Sequence, residues 1–172
     1  MADDTLELTG WEKLAHRATA SLNESRWGRA WQTATLRTFS YAWVRQAISP
    51  RMLTSGLDEL IAQRPERGVL LVSNHRSFFD LYSMMLAMYM GPTPWAGRIN
   101  FPVRSNFFYD HPLGLAVNYL CCGGAMYPPI YRQAERRAQN DESLDRIVEM
   151  LRQPGQVIGL HPEGTRSKDP DP

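Results

Sequence analysis

With 172 residues, the chain is long enough for one domain with a substantial core and short for two. Hydrophobic residues make up 43% of it and charged residues 22%, a balance that is typical of a globular fold and excludes general disorder. The formal net charge of +1 gives no support to a nucleic-acid partner, because nucleic-acid-binding domains are usually strongly basic.

The first 25 residues are polar with scattered apolar positions, and we predict a helix within them. Their opening sequence, MADDTLELTGWEK, is acidic and lacks the apolar core of a secretory signal. No later stretch reaches the roughly 18 apolar residues of a membrane-spanning helix. We therefore expect a protein that is not secreted and has no transmembrane helix.

Residues 26–48 carry the clearest helical pattern of the N-terminal part. An apolar face is formed by Leu36, Phe39, Trp43 and Ala47, and Pro50 follows as a stop signal. Aromatic residues alternate with arginines along this segment: Trp27, Trp31 and Tyr41 with Arg26, Arg29, Arg37 and Arg45. This mixture suits a helix at a lipid interface, and the alternative is a helix packed on its own domain with its arginines in solvent. We treat residues 1–60 as an amphipathic, membrane-docking helical segment before an α/β domain over residues 61–172.

Short apolar runs then alternate with helical patterns. We predict strands at residues 69–73, covered on both faces, and at 156–160, and helices over residues 78–90 and 141–152. The last helix has an apolar stripe of Leu144, Ile147, Val148 and Leu151. The alternation indicates an α/β fold with a mostly parallel mixed sheet flanked by helices.

The stretch between residues 91 and 131 is rich in Gly, Pro and aromatic residues. It predicts strands near residues 100–103 and 125–127 and a short helix around residues 113–120. The aromatic residues 101–109 either line an apolar cavity or pack in the core. Cys121 and Cys122 are adjacent, so we interpret both as buried apolar residues in a reducing compartment, with a thiol nucleophile as the alternative.

Two polar loops follow the two apolar strands, SNHRSFFD at residues 73–80 and HPEGTRS at residues 161–167. The carboxyl ends of parallel strands share one edge of a sheet, where ligands bind. We therefore predict that the two loops open on one crevice. This convergence is the strongest inference from the pattern alone.

In the first loop, His75 and Asp80 are five positions apart and would not meet on one regular helix. With His75 in the loop and Asp80 in the first helical turn, the carboxylate can fold back, fix the imidazole tautomer and leave the second ring nitrogen free to take a proton. The alternative is that Asn74 or Ser77 caps the helix and His75 has no role.

The second loop offers groups that suit a phosphate or a carboxylate. Glu163 has a carboxylate, Gly164 allows close backbone approach, Thr165 has a hydroxyl, and Arg166 has a planar fork of donors. An ordinary surface turn is the alternative. A P-loop, a GxSxG elbow, a dinucleotide fingerprint and the HExxH or CxxC spacings of zinc sites are all absent from the sequence.

The blocks NHRSFFD and HPEGTRS, about ninety residues apart, resemble those of the glycerolipid acyltransferases, which include glycerol-3-phosphate and 1-acylglycerol-3-phosphate acyltransferases. The first block of that family reads NHxSxxD, and the third reads FPEGTRS, so His161 stands here where phenylalanine is usual. The middle block, typically GGIFIDR, resembles GGAMYPPIYR with Arg132 as the matching arginine. Arg104 matches a basic residue that members often carry before an aromatic patch.

The resemblance implies that His75 deprotonates an acceptor hydroxyl, which attacks an acyl thioester, while Asp80 holds the imidazole. Glu163, Gly164, Thr165 and Arg166, helped by Arg132 and Arg104, would bind the acceptor phosphate and shape the site. The co-substrate would be acyl-CoA or an acyl carrier protein, with no metal or organic cofactor. The implied partners are a phosphorylated glycerolipid acceptor and the cytoplasmic face of a membrane, in phospholipid biosynthesis.

The family normally continues beyond its third block with further strands and a fourth, proline-containing block. The resemblance thus implies that the 172 residues are a fragment or the ordered portion of a longer protein, without the C-terminal part of the family domain. Two other functions stay open: a non-catalytic phospholipid-binding module of the same fold, and a thioester hydrolase, for which the sequence shows no evident nucleophile.

Overall fold

The computed structural model describes residues 7–77, 79–90 and 93–165. Eight α-helices occur in this part of the chain: α1 (Gly10–Glu24), α2 (Arg26–Thr35), α3 (Tyr41–Ile48), α4 (Leu57–Ala62), α5 (Asp80–Met90), α6 (Ser105–Phe108), α7 (Pro112–Cys122) and α8 (Arg137–Leu151). The strands are β1 (Val69–Val72), β2 (Arg98–Asn100), β3 (Val103–Arg104), β4 (Pro129–Ile130) and β5 (Gln156–Leu160). The α/β prediction is confirmed.

Both sheets are parallel in this structure. The larger has the order β1-β5-β2, and β3 pairs with β4 in a second, two-stranded sheet. The register pairs Val72 with Leu160, so the chain leaves β1 and β5 at the same edge. The predicted strand at 156–160 is confirmed and is central and buried.

The prediction that the first strand is covered on both faces is wrong. β1 is an edge strand of the described sheet, and its residues Leu70 and Val72 are 47% and 53% exposed. An apolar run shows only that a strand is hydrophobic, whereas its place in the sheet decides which face has a neighbour.

Residues 26–48 form one continuous helical run, as predicted, but its buried face differs. A π-helical turn at Leu36–Ser40 joins α2 to α3 and changes the rotation per residue. Leu36, Ser40 and Val44 are buried, whereas Phe39 is 56% exposed and Ala47 is exposed. The predicted face is therefore confirmed at Leu36 and at Trp43, which packs against the core, and wrong at Phe39 and Ala47, because it assumed an unbroken helical period.

The apolar stripe predicted on the last helix is also only half buried. Ile147 and Leu151 pack against the cluster around Met150 and Ile158, whereas Leu144 and Val148 are about half exposed. Ser143 is buried instead, and its hydroxyl donates to the carbonyl oxygen of Pro129 at 2.7 Å. The helix is therefore oriented by its contact with β4 as well as by its apolar side chains.

The middle of the chain departs most from prediction. The expected strand near residues 100–103 is two strands, β2 and β3, separated by Phe101 and Pro102. No strand occurs at residues 125–127, which are buried, and the pairing lies instead at β4. The short helix was predicted correctly as the centre of α7.

The two cysteines differ from each other. Cys122 is buried, and burial raises the pKa of its thiol to about 12, so it is not a thiolate near neutral pH. Cys121 is only partly buried, which corrects the prediction for that residue.

Helix α1 begins with a capping box and forms a buried ion pair with a distant part of the chain. Thr9 and Glu12 form a capping box at its start, and the Glu12 carboxylate also pairs with the buried guanidinium of Arg136, 124 positions away. Among the described residues, none of the helices combines the length and the apolarity needed to cross a bilayer.

Candidate active site

The loop after β1 is organised by a single carboxylate oxygen. Oδ2 of Asp80, the first residue of α5, accepts from the backbone N–H groups of Arg76 and Ser77, both at 2.7 Å, and lies 2.9 Å from Nδ1 of His75. Since a carboxylate only accepts, Nδ1 is the donor. This leaves Nε2 of His75 as the nitrogen that can take a proton.

Helix capping and the His–Asp contact occur together. The Ser77 hydroxyl accepts from the backbone N–H of Phe79 at 3.1 Å, which resembles the alternative capping arrangement. It does not exclude the contact between His75 and Asp80. The predicted juxtaposition of these two side chains is therefore confirmed as geometry.

The electrostatics of Asp80 favour its ionised form. Burial alone would raise the pKa of this carboxyl, but hydrogen bonds from the Ser77 backbone, the His75 ring and the Arg76 backbone outweigh burial and hold the pKa below its ordinary value. Asp80 is therefore a carboxylate near neutral pH. It can orient the His75 ring and stabilise the imidazolium that forms when Nε2 is protonated.

The loop after β5 meets the loop after β1, as predicted. The Glu163 carboxylate accepts from the backbone N–H of His75 at 2.6 Å. The ring of His161 stacks on the ring of His75, with 4.3 Å between centroids and 9° between planes. The second loop thus holds the first by a hydrogen bond and an aromatic stack.

His161 is held in turn by Ser73. Its Nδ1 lies 3.0 Å from the Ser73 hydroxyl oxygen and 3.2 Å from the Ser73 carbonyl oxygen. Its Nε2 is buried and has no hydrogen-bond partner among the described residues. In the sequence, His161 stands out only as a departure from a motif, and no pattern points to Ser73. The parallel register of β1 with β5 was the missing signal, because it places these two residues side by side.

Three atoms of this cluster could together approach a divalent metal ion. His75, Asp80 and His161 each offer one ligand atom, and these lie within 4.8 Å of one another. In the present arrangement Nδ1 of His75 and Oδ2 of Asp80 hydrogen-bond to each other, and the buried Nε2 of His161 is enclosed. A metal would have to displace the proton between the first two, so the geometry fits a His–Asp acid–base pair better than a metal centre.

A cleft of about 790 Å³ opens beside the stacked histidines, a volume within the usual range of ligand sites. Its polar wall includes His75, Arg104 and Thr165. Its apolar wall consists of Leu81, Pro102, Val103, Phe107, Phe108 and Leu160. Phe101 and Tyr109 are instead buried in the core, so the aromatic stretch serves both of the roles considered for it.

Of the remaining predicted site residues, Gly164 lines this cleft and Arg132 contacts Gly164. Arg132 donates to the carbonyl oxygen of Gly164 at 3.3 Å, which brings the middle block against the third-block loop. Gly164 lines the cleft and has φ of 62°, a left-handed conformation that favours glycine. Arg166, the predicted phosphate ligand, lies outside the described residues.

Comparison with known proteins gives one match. Residues 54–171, more than half of the chain, match a family model described as Acyltransferase. Neither the curated proteins nor the solved structures contain a match to this chain.

Proposed function

The chain belongs to the acyltransferase family, and on that premise we propose that it moves a fatty acyl group from an acyl thioester to the hydroxyl of a phosphorylated glycerol or lysophospholipid acceptor. The observation that carries the proposal is the His75–Asp80 pair at the wall of a cleft that combines guanidinium and apolar groups. The donor would be acyl-CoA or an acyl carrier protein, and the product would enter phospholipid biosynthesis.

The proposed reaction uses His75 twice. Nε2 takes the proton of the acceptor hydroxyl while the hydroxyl oxygen attacks the thioester carbonyl. When the C–S bond then breaks, the imidazolium gives this proton to the leaving thiolate, which departs as the free thiol. Asp80 keeps Nδ1 protonated and balances the charge of the ring throughout. No covalent acyl-enzyme is needed, because the acceptor oxygen itself forms the new ester bond.

Binding of the acceptor phosphate is assigned to the cations near the cleft. Arg104 lines it, and Arg132 adjoins the loop that supplies Gly164 and Thr165, so together they can offer charge-assisted hydrogen bonds to a phosphate. Arg166 is proposed as a further phosphate ligand. Glu163 is assigned a different role, because its negative charge would repel a phosphate. Its carboxylate shapes the site by accepting the backbone N–H of His75.

The acyl chain is proposed to lie along the apolar wall formed by residues such as Leu81 and Phe107. Such a wall suits methylene groups, each of which gains roughly 0.8 kcal/mol when removed from water. It gives the donor a binding surface separate from the cations that would hold the acceptor.

The test is release of free thiol from a long-chain acyl-CoA in the presence and absence of lysophosphatidic acid or glycerol 3-phosphate. We expect release that depends on the acceptor, and a loss of roughly 10²–10⁴-fold in His75→Ala. His111→Asn is the matched control, since it removes another imidazole but keeps a side chain able to cap α7 at Leu113. A blank with protein alone corrects for the partly exposed Cys121.

Acceptor-independent release would indicate a thioester hydrolase instead, and binding of both substrates without release would indicate a lipid-binding module. Full activity in His75→Ala would remove the proposed mechanism.

We also propose that α2 and α3 rest on a lipid surface. Trp27 and Trp31, one helical turn apart, are 87% and 49% exposed, and large exposed tryptophans are typical of the membrane interface. Sedimentation with anionic vesicles should weaken in Trp27→Ala/Trp31→Ala. It should persist in Leu144→Ala/Val148→Ala, which removes two half-exposed apolar side chains from α8. Equal effects of the two pairs would count against a specific docking face.

A further inference from the structure

A second pocket lies at the opposite end of the sheet from the cleft. It is lined in part by Arg98, the first residue of β2, and by Gln153, which precedes β5, so it adjoins the amino ends of the parallel strands. Its volume is about 250 Å³, somewhat below the usual range of sites for drug-sized ligands. The space suits a small ion or a single functional group.

The charged side chains around this pocket leave two cations uncompensated. Glu24 pairs with Arg146 and Glu149 pairs with Arg152, each at 2.9 Å, so both carboxylates of the wall already have a cationic partner. The guanidinium groups of Arg29 on α2 and Arg98 on β2 add two more positive charges to the wall of this pocket. In the part of the chain that the structure describes, no carboxylate forms an ion pair with either of them.

Arg98 is partly buried, and its hydrogen-bond partners among the described residues are neutral groups. It donates to the carbonyl oxygen of Asn23 and to Oε1 of Gln153, both at 3.1 Å. Burial, followed by the nearby charge of Arg29, lowers the pKa of its guanidinium to about 10. A half-buried cation beside a second cation costs free energy that an anion in the pocket would relieve.

We infer that this pocket binds a phosphate group, held between the guanidiniums of Arg29 and Arg98. Two planar forks of donors around a small space match the several acceptor oxygens of a phosphate, and its charge balances the two cations. The ligand would connect α2 to β2 and so brace the N-terminal helices on the sheet. The pocket is separate from the cleft proposed to hold the acceptor.

The phosphate group could belong to a soluble molecule or to a lipid headgroup, and the experiment distinguishes them. The arginine Nε–Hε signals of Arg29 and Arg98 are followed by NMR during titration with inorganic phosphate, glycerol 3-phosphate and a short-chain phosphatidic acid. Sodium chloride keeps the ionic strength constant. We expect saturable shifts of both signals; a response to all three assigns a general phosphate site, and a response to the lipid alone assigns a headgroup site.

Arg29→Gln should weaken binding by roughly tenfold or more, read from the Arg98 signal, because one charged hydrogen-bonding partner is lost. Arg26→Gln is the matched control: it removes an exposed arginine of the same helix that is not part of the pocket wall. Arg132→Gln separates this site from the cleft and should leave the Arg98 titration unchanged. Shifts that do not saturate with any of the three compounds, or an Arg29→Gln titration equal to that of the unmodified protein, would overturn the inference.

Discussion

At the scale of single residues, a small number of atoms organises the candidate site. One oxygen of Asp80 accepts three hydrogen bonds, two from the backbone and one from His75, so the same atom shapes the loop and orients the ring. His75 is further held by the Glu163 carboxylate and the His161 ring from the other loop. Removing any of these contacts should affect turnover more than substrate binding, because they act on the position of the base.

Asp80→Asn tests the ionised carboxylate through both activity and acid stability. The pKa of Asp80 lies below the ordinary value of 3.8, so its charge stabilises the folded state above that value, and this contribution is lost as pH falls through the lower pKa. We expect Asp80→Asn to lower the free energy of unfolding at neutral pH and to flatten its decline in acid, measured by urea denaturation across a pH series. Turnover should fall by up to about 10⁴-fold, because the tautomer of His75 is no longer held.

Asp110→Asn is the control for that experiment, because the pKa of Asp110 is shifted in the opposite direction to that of Asp80. Burial, followed by the charge of Glu12, raises the pKa of Asp110, so its ionised form destabilises the folded state. Its removal should increase stability at neutral pH. A loss of stability in Asp110→Asn equal to that in Asp80→Asn would show that the hydrogen bonds to Asp80 have no special effect.

His161 is expected to act through its ring rather than through its nitrogen atoms. His161→Phe keeps a flat aromatic ring against His75, whereas His161→Ala removes the stack, which for aromatic pairs is worth about 0.5–1.5 kcal/mol. We expect kcat to fall roughly 2- to 12-fold in His161→Ala, with KM little changed, and to return toward normal in His161→Phe. If both variants lose activity equally, the imidazole itself, with its contact to Ser73, is required.

At the scale of elements, local pattern predicted which segments are helices and strands better than which faces they bury. Helix α2–α3 was found where its period indicated, but the π-helical turn shifted the buried face to Leu36, Ser40 and Val44. In α8 the neighbouring β4 covers Ser143, while Leu144 stays half exposed. Which face of a helix is buried depends on the elements that pack against it, and these elements come from distant parts of the chain.

Gly28 shows how tightly two consecutive elements are packed. A Cβ built on Gly28 would lie 1.9 Å from the backbone oxygen of Leu22 in α1, which cannot move independently of its helix. We expect Gly28→Ala to lower the free energy of unfolding by about 1–3 kcal/mol, although alanine favours helices over glycine. Thermal or urea unfolding measures the change.

Gly10→Ala provides the comparison, because the first residue of α1 has open space around its Cβ position. It should be neutral or stabilising by up to about 1 kcal/mol. Similar effects at the two positions would mean that helix propensity, and not the close approach of α1 to α2, decides the outcome.

At the scale of the whole molecule, the N-terminal helices are joined to the sheet by buried polar groups. Asn23 of α1 accepts from Gln32 of α2 and from Asn100 of β2, and Asn100 accepts from Gln156 of β5. All four side chains are buried. Gln32 Oε1 and Gln156 Oε1 are buried without a partner among the described residues, so the network is not fully paired. Its hydrogen bonds still favour this arrangement of helices on strands, because another arrangement would leave further buried donors and acceptors unpaired.

The buried pair of Glu12 and Arg136 makes a second link, and it can be tested by a double-mutant cycle. Arg136→Met leaves the Glu12 carboxylate buried without its cation, which typically costs about 3–5 kcal/mol. The double variant Glu12→Gln/Arg136→Met removes both charges while glutamine still closes the capping box, so much of the loss should be recovered. Chemical denaturation of Glu12→Gln, Arg136→Met and the double variant gives the coupling energy, and strictly additive losses would show that the two side chains do not interact.

The sequence by itself determined the fold class, the alternation of strands and helices, and the positions of SNHRSFFD and HPEGTRS after two apolar strands. These features are local: residue periodicity and the break from apolar to polar residues are set within a few positions. The stacking of His161 on His75, the edge position of β1 and the pocket between Arg29 and Arg98 were decided only by the tertiary structure. Each depends on which strand or helix lies beside another, and contacts between residues some seventy or ninety positions apart leave no trace in local pattern.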